Sequence, residues 1–131
     1  MIGLDSNILI RFLTYDDEAQ SLKATRLLSR LSAADQGFVS LIVLAETAWT
    51  LRRAYRYSNR EVGRVLGEMI KSQAILVESA QEAFVATKAA EQDDAPLVDM
   101  LIGELARKAG CVVTKTFDEE AARLPGLELV T

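Results

Sequence analysis

The sequence predicts a single α/β domain, with a mostly parallel sheet of four to five strands between two layers of helices. Short apolar runs alternate with segments of helical period along the whole chain. Such alternation favours parallel strands, because each parallel pair needs a crossover connection, which is usually a helix. A chain of 131 residues, of which 50% are hydrophobic and 26% charged, is typical of one globular domain.

Capping signals bound the predicted elements in the first half of the chain. Asp5-Ser6-Asn7 follows a short apolar strand and can cap the next helix, as Ser40 can cap a later one. Residues 58–61 have the spacing of a capping box, in which a Ser and a Glu side chain each bind a backbone amide. The predicted elements are strand 2–4, helices 8–13 and 16–31, strand 37–39, and helices 40–55 and 58–72.

Similar signals bound the elements of the second half. Residues 79–82 and 116–119 repeat the capping-box spacing, Pro96 fits the first turn of a helix, and Gly110 ends that helix. Cys111, next to Gly110, is expected to be a small buried residue in a strand. The predicted elements are strand 74–77, helices 79–91 and 97–109, strand 111–114, a short helix opened by residues 116–119, and strand 127–130.

The composition excludes several classes of enzyme. The chain contains no histidine and one cysteine, which excludes His-assisted serine and cysteine hydrolases and the usual zinc sites. Any bound metal is expected to be a hard cation held by oxygen atoms, with Mg²⁺ or Mn²⁺ favoured. No apolar run approaches the ~20 residues that span a bilayer, and no signal segment precedes the first strand. We therefore expect a cytoplasmic protein.

Four carboxylates lie in or beside apolar segments without an obvious basic partner: Asp5, Glu46, Asp99 and Asp118. An ionised carboxylate that is buried alone costs several kcal/mol, so such groups are normally paired, neutralised or bound to metal. Because Asp5 and Asp118 follow predicted strands, both are expected at the carboxyl ends of the sheet, where α/β folds bind ligands. The four acids together predict a site for a divalent cation.

Each acid also has a simpler explanation. Asp5 is a good helix N-cap, and Asp118, one or two residues into a predicted helix, is favoured there by the helix macrodipole. Glu46 shares an apolar stripe with Trp49, which predicts an inward face, and a buried ion pair with Arg53 is its alternative. Asp99 shares its face with Ile102 and Gly103 and is also expected to point inward, although Asp94 is an alternative to it.

Four motifs in order resemble those of the PIN-domain family. The opening Met1-Ile2-Gly3-Leu4-Asp5-Ser6-Asn7 is similar to the family's first acidic motif, and Leu44-Ala45-Glu46 to its second. The segments 97–102 and 113–118 resemble the third and fourth. The resemblance implies that residues 1–131 form a single PIN-like domain with a three-layer α/β/α fold. Within that family, a single domain of this length is similar to the VapC-type toxins of bacterial toxin–antitoxin (VapBC) systems.

The resemblance implies a magnesium-dependent endoribonuclease whose substrate is RNA, with tRNA as one candidate, and which forms a homodimer and binds a VapB-type antitoxin. We expect Asp5 and Asp99 to bind the principal Mg²⁺ or Mn²⁺ ion, with Glu46 and Asp118 completing the pocket. Asn7 and Thr116 are expected to orient carboxylates or water by hydrogen bonds, unless they only cap helices.

A basic segment next to the second acid is the predicted RNA-binding surface. Tyr55 and Tyr57 interleave with its arginines and either stack on unpaired bases or pack between helices. The arginines expected to contact phosphate are Arg52, Arg53, Arg56 and Arg60.

Two other functions remain open at the level of sequence. A phosphoacceptor receiver-like signalling domain also has about this length and acids after parallel strands, but it needs an aspartate after a middle strand, where this chain has Glu78. A catalytically silent PIN module that binds RNA or protein is the second alternative. It predicts binding that survives chelation and Asp5→Asn.

Overall fold

Twelve short elements alternate along the chain in the computed structural model, which describes all 131 residues. A 3₁₀ turn, Ala121–Arg123, precedes the last strand. The strands are β1 (Ile2–Gly3), β2 (Gly37–Val39), β3 (Ile75–Val77), β4 (Thr114–Thr116) and β5 (Leu127–Leu129). The helices are α1 (Ser6–Thr14), α2 (Glu18–Ser29), α3 (Leu41–Arg53), α4 (Asn59–Lys71), α5 (Ala80–Asp93) and α6 (Leu97–Lys108).

All strand pairs are parallel, which confirms the predicted α/β architecture. Strand β2 lies between β1 and β3, and its Gly37 is in register with Ile2 on one side and with Ile75 on the other. Strands β4 and β5 form a separate two-stranded ladder. The five strands, none longer than three residues, are therefore divided between two small sheets. The first strand ends at Gly3, which brings Asp5 to the carboxyl end of its sheet.

The core joins β2 to the helices on either side of the sheet. Val39, Leu44, Leu51 and Leu66 are almost completely buried and belong to one apolar cluster. Helices α4 and α5 approach closely at Gly63, where an added Cβ would lie 2.6 Å from the carbonyl oxygen of Thr87. That glycine is therefore required by the packing of the two helices rather than by its backbone conformation.

Two of the three predicted capping boxes are wrong. Ser58 and Glu61 form the box that opens α4, as predicted. Ser79 instead has a φ of 49° and makes no side-chain cap, and Lys108 of α6 contacts both side chains of the predicted box, donating to Oγ of Ser79 at 3.3 Å and pairing with Glu82 at 3.2 Å. Residues 116–119 also do not form a box, since Asp118 is the residue whose carboxylate accepts the backbone amides of the next turn.

The fourth strand lies later in the chain than predicted. It comprises Thr114–Thr116 rather than residues 111–114, because Thr114 donates to the carbonyl of Gly126 and thereby sets the register with β5. Cys111 is exposed, which contradicts the prediction that it is buried. It lies in the loop after α6, where neighbouring Val112 is 98% exposed. No helix has the length and apolar character needed to cross a membrane.

Candidate functional site

The first pair of acids, Asp5 and Glu46, is joined by Ser6. Asp5 is the N-cap of α1, and its Oδ1 accepts a hydrogen bond of 2.7 Å from the backbone amide of Ser6. The hydroxyl of Ser6 donates to Oε1 of Glu46 on α3. Ser6 was not predicted to take part in the site, although it lies inside the Asp5-Ser6-Asn7 motif. It connects the end of β1 to the middle of α3.

The second pair is Asp99 and Asp118. Asp99 lies half-buried in the first turn of α6, and Asp118 is exposed in the loop after β4. Burial raises the pKa of Asp99 above its usual range, and the negative charges of Asp118 and Glu120 raise that pKa further. Glu120 was not predicted as a site residue. The signal that identifies it is its position two residues after Asp118, within an acidic run.

Thr116 holds the loop that carries Asp118. Its Oγ1 accepts a hydrogen bond of 3.0 Å from the amide of Asp118. Oδ1 of Asp118 in turn accepts from the amides of Glu120 at 2.8 Å and Ala121 at 3.2 Å. Asp118 thus caps the turn that follows it rather than lying inside a helix, and one of its two oxygens is engaged by the backbone.

The four acids offer the type of ligand atom that a hard cation prefers. All their side-chain donors are carboxylate oxygens, and none of Asp5, Glu46, Asp99 and Asp118 forms an ion pair with a basic residue. The repulsion that raises the pKa of Asp99 is one that a cation would relieve. In this structure, however, the four acids lie as two separate pairs. No three of them are close enough together to hold one ion.

The face of α3 that carries Glu46 points to solvent. Ile42 is 79% exposed and Trp49 is 55% exposed, so the prediction that this apolar stripe points inward is wrong. The alternative ion pair between Glu46 and Arg53 is also absent, because the guanidinium of Arg53 lies over the indole of Trp49, 4.2 Å from the ring centre. A helical period identifies an apolar face but does not say whether another element covers it.

Acidic and basic side chains meet in one cleft beside α3. The cleft has a volume of about 480 Å³, and Asp99 and Asp118 line it together with Trp49, Arg52 and Arg53. Since Glu46 lies one helical turn before Trp49, α3 connects the first acidic pair to this cleft. The arrangement places carboxylates and guanidinium groups on a common open surface.

Of the four arginines predicted to bind RNA, only Arg52 and Arg53 line the cleft. Arg52 donates to the carbonyl of Tyr57 at 2.9 Å and forms no ion pair. Arg60 donates to the carbonyls of Glu91 and Gln92 at the end of α5, at 3.0 and 2.8 Å. Its guanidinium group therefore caps the C-terminal end of α5 and does not line the cleft. Arg56 is exposed, with a φ of 56°, and lies outside the lining.

The two tyrosines pack between elements, as their alternative explanation predicted. Tyr55 and Tyr57 are half-buried against the core. The hydroxyl of Tyr55 donates to Oδ2 of Asp16 and accepts from Arg11 at 3.2 Å, and Arg11 also contacts Asp16 at 2.9 Å. This network links the end of α3 to the loop between α1 and α2.

The remaining candidates lie around this site. Asn7 is exposed and lines a separate pocket that also contains Arg11 and Lys23. Asp94 ends α5 in a left-handed conformation and is not among the lining residues of the cleft, so the cleft contains Asp99 but not Asp94. Lys115 forms an ion pair with Glu128 across the β4–β5 ladder.

Comparisons with known proteins identify a family. The family model described as PIN domain matches residues 2–127. Among solved structures, the fold is similar to the crystal structure of Mycobacterium tuberculosis VapC20, which is described as a sarcin-ricin loop cleaving toxin. That chain is 21% identical, 98% of each chain is covered, and the TM-score is 0.48. No curated protein matches the sequence significantly.

Proposed function

This chain belongs to the PIN-domain family, and we propose from that membership and from its acidic cleft that it is a metal-dependent endoribonuclease. The observation that supports this function best is the half-buried carboxylate of Asp99, which faces Asp118 and Glu120 without a basic partner. Such an arrangement destabilises the folded protein unless a cation or a proton neutralises it. Unfavourable charge clusters of this kind are typical of functional sites.

Asp5 and Asp99 are the proposed ligands of the principal ion, with Glu46 and Asp118 as further ligands. Mg²⁺ or Mn²⁺ is the proposed metal, because the donors are all carboxylate oxygens. When bound, such an ion lowers the pKa of a coordinated water and offsets the charge of a phosphate group. Bringing the two acidic pairs to one ion requires them to move closer together than they are in this structure.

The residues around the acids have positioning roles. Ser6 orients Glu46 through its hydroxyl, and Thr116 fixes the backbone of Asp118. Asn7, the second residue of α1, is proposed to orient a carboxylate or a water molecule. Because the chain contains no histidine, the attacking water would be either ionised by the metal itself or deprotonated by a carboxylate, for which exposed Asp118 is the proposed acceptor.

Arg52 and Arg53 are the proposed phosphate contacts. Both line the cleft that contains Asp99 and Asp118, so an RNA backbone held by their guanidinium groups passes close to the acids. Arg56 and Arg60 lie outside this lining, and for them we propose contacts to flanking phosphates only. For Arg60, such a contact would have to share a guanidinium that already binds two carbonyl groups.

We further propose that the chain is a VapC-type toxin of a type II toxin–antitoxin system. In this role it would act in the bacterial cytoplasm as a homodimer of single PIN-like domains spanning residues 1–131. A VapB-type antitoxin would bind it, and structured RNA such as tRNA would be its substrate. The match of residues 2–127 to the PIN-domain model and the ordered acidic motifs support this proposal.

The receiver-like alternative is disfavoured by a specific contact. Glu78 follows β3 at the position where a receiver carries its phosphoacceptor aspartate. Its carboxylate accepts a hydrogen bond of 2.9 Å from the amide of Leu41 and so caps α3. Glu78 therefore stabilises the start of α3 rather than presenting a carboxylate for phosphorylation. A catalytically silent binding module would differ from a nuclease only in that it does not cleave RNA, so an RNA-cleavage assay separates the two.

The test is cleavage of total bacterial RNA by the purified protein, with Mg²⁺ or with EDTA. We expect cleavage that chelation abolishes and that Asp5→Asn and Asp99→Asn each reduce at least a hundredfold. The matched control is Asp93→Asn, which removes the same charge at an exposed residue at the end of α5. Cleavage that persists in EDTA and in both site variants would contradict the proposal.

A further inference from the structure

Trp49 is a large aromatic residue that the fold leaves uncovered beside the acidic cleft. It is the only tryptophan of the chain and is 55% exposed. Indole rings are normally buried, since they contribute much of the apolar area that stabilises a core or an interface. An exposed indole that also lines a cleft indicates a contact surface for a ligand rather than a packing defect.

Two arginines border Trp49 in the cleft, which Asp99 and Asp118 also line. The guanidinium of Arg53 lies over the indole, 4.2 Å from the ring centre, and forms no ion pair with an acid. Arg52 lies next to it in the same cleft and also forms no ion pair. A flat aromatic surface bordered by two available positive charges matches a nucleotide, which combines a flat ring with a negative phosphate. An apolar protein surface would leave both guanidinium groups desolvated.

We propose that Trp49, supported by Arg53, is the platform on which one unpaired nucleobase stacks next to the cleaved phosphate. The inference rests on the proposed RNA-cleaving function and adds to it a residue that selects the substrate. Bases within a duplex already stack on both faces, whereas an unpaired base offers a free face to the indole. Trp49 therefore favours unpaired segments of RNA and acts as a positioning residue.

The single tryptophan makes this proposal directly measurable. Its intrinsic fluorescence is followed in EDTA, without turnover, while a 12-nucleotide unstructured oligoribonucleotide is added at fixed protein concentration. We expect the fluorescence to be quenched by this oligonucleotide. A duplex of the same length, and an abasic oligomer with the same number of phosphates, should quench it little, because neither offers a free base.

Variants separate stacking from general electrostatic binding. With a labelled oligonucleotide, Trp49→Ala should weaken the binding of unpaired RNA by roughly 5- to 150-fold, while Trp49→Phe retains most of it. In the cleavage assay, Trp49→Ala should raise KM much more than it lowers kcat. The matched control is Ile42→Ala, which removes an exposed apolar side chain two turns earlier on the same face of α3, outside the cleft lining. It should bind as the unaltered protein does.

Three results would overturn the role of Trp49. These are equal quenching by the abasic oligomer, no quenching by any RNA, and, when the titration is repeated at several protein concentrations, an emission maximum that shifts with protein concentration but not with RNA, which indicates contact between two copies. Because binding is measured in EDTA, this test is independent of the nuclease test. Metal-dependent cleavage without quenching would contradict the stacking alone. Quenching without any cleavage would contradict the nuclease function.

Discussion

The hydroxyl of Ser6 donates a hydrogen bond to the carboxylate of Glu46 and so connects the start of α1 to the exposed face of α3. Through this contact the first acidic pair becomes one unit, because Asp5 accepts the backbone amide of the same serine. The motif Asp5-Ser6 therefore contributes both a carboxylate and the residue that orients a second carboxylate. This relationship can be tested separately from the acids.

Ser6→Ala is expected to lower the rate of RNA cleavage roughly tenfold, since a hydrogen bond to a charged group is lost and Glu46 is no longer held. The measurement is kcat/KM in Mg²⁺. Ser29→Ala is the control, because the hydroxyl of Ser29 only contacts the carbonyl of Arg26 on the surface. Equal rates for Ser6→Ala and the unaltered protein would show that Glu46 does not depend on Ser6.

Asp99→Asn is expected to stabilise the protein at pH 7 in EDTA. In the unaltered protein, burial raises the pKa of Asp99 and the charges of Asp118 and Glu120 raise it further. The Asp99 carboxyl group therefore binds its proton more tightly in the folded state than in the unfolded chain. The cost of the ionised carboxylate is therefore present above the folded pKa and disappears as the pH falls below the unfolded pKa of about 4.

Denaturant unfolding from pH 7 to pH 3 measures this effect. The advantage of Asp99→Asn should shrink as the pH falls through that window. A destabilised Asp99→Asn protein at pH 7 would mean that the carboxylate has a favourable partner that this structure does not contain.

The network of Asp16, Tyr55 and Arg11 has the opposite dependence on pH. The pKa of Asp16 is lowered mainly by the hydrogen bond from Tyr55. Its contribution to stability is therefore present above the unfolded pKa and is lost as the pH falls through the lower, folded pKa. Asp16→Asn should lose stability at pH 7, and the loss should shrink as the pH falls below the unfolded pKa. Tyr55→Phe should show the same trend, and a double-mutant cycle with non-additive effects identifies the shared contact.

The close approach of α4 and α5 makes Gly63 intolerant of any side chain. Gly63→Ala places a Cβ 2.6 Å from the carbonyl oxygen of Thr87, so we expect a loss of about 1–3 kcal/mol from overpacking. Gly67→Ala in the same helix is the control, because its Cβ would meet Thr87 at an ordinary 3.5 Å. It should gain up to ~1 kcal/mol of helix propensity. Equal unfolding free energies for the two variants would contradict the packing described.

The sequence predicted the parts of the fold that depend on local signals. The capping box at Ser58 and the parallel strands follow from short-range pattern and alternation. The box at Ser79 does not form, and Lys108, distant in sequence, contacts both side chains that would complete it. Strand β4 was misplaced because its register is set by the carbonyl of Gly126 in another segment.

The candidate site was predictable to a similar extent. Asp118 follows β4, as the rule that ligands bind at the carboxyl ends of parallel strands predicts, but the cleft pairs it with Asp99 from the first turn of α6 and not with Asp5. The exposure of Trp49 did not follow, because helical periodicity cannot show that no element covers a face. The roles of Arg53 and Arg60 depend on long side chains whose partners only the folded structure brings close.

Direct titration of Mg²⁺ or Mn²⁺ into the RNA-free protein, followed by calorimetry, tests the central claim that these carboxylates share a divalent cation. The account predicts saturable binding that Asp99→Asn and Asp5→Asn both abolish or weaken strongly, and that Asp93→Asn leaves intact. Binding that is absent from the unaltered protein, or that is equal in all of these variants, would contradict it.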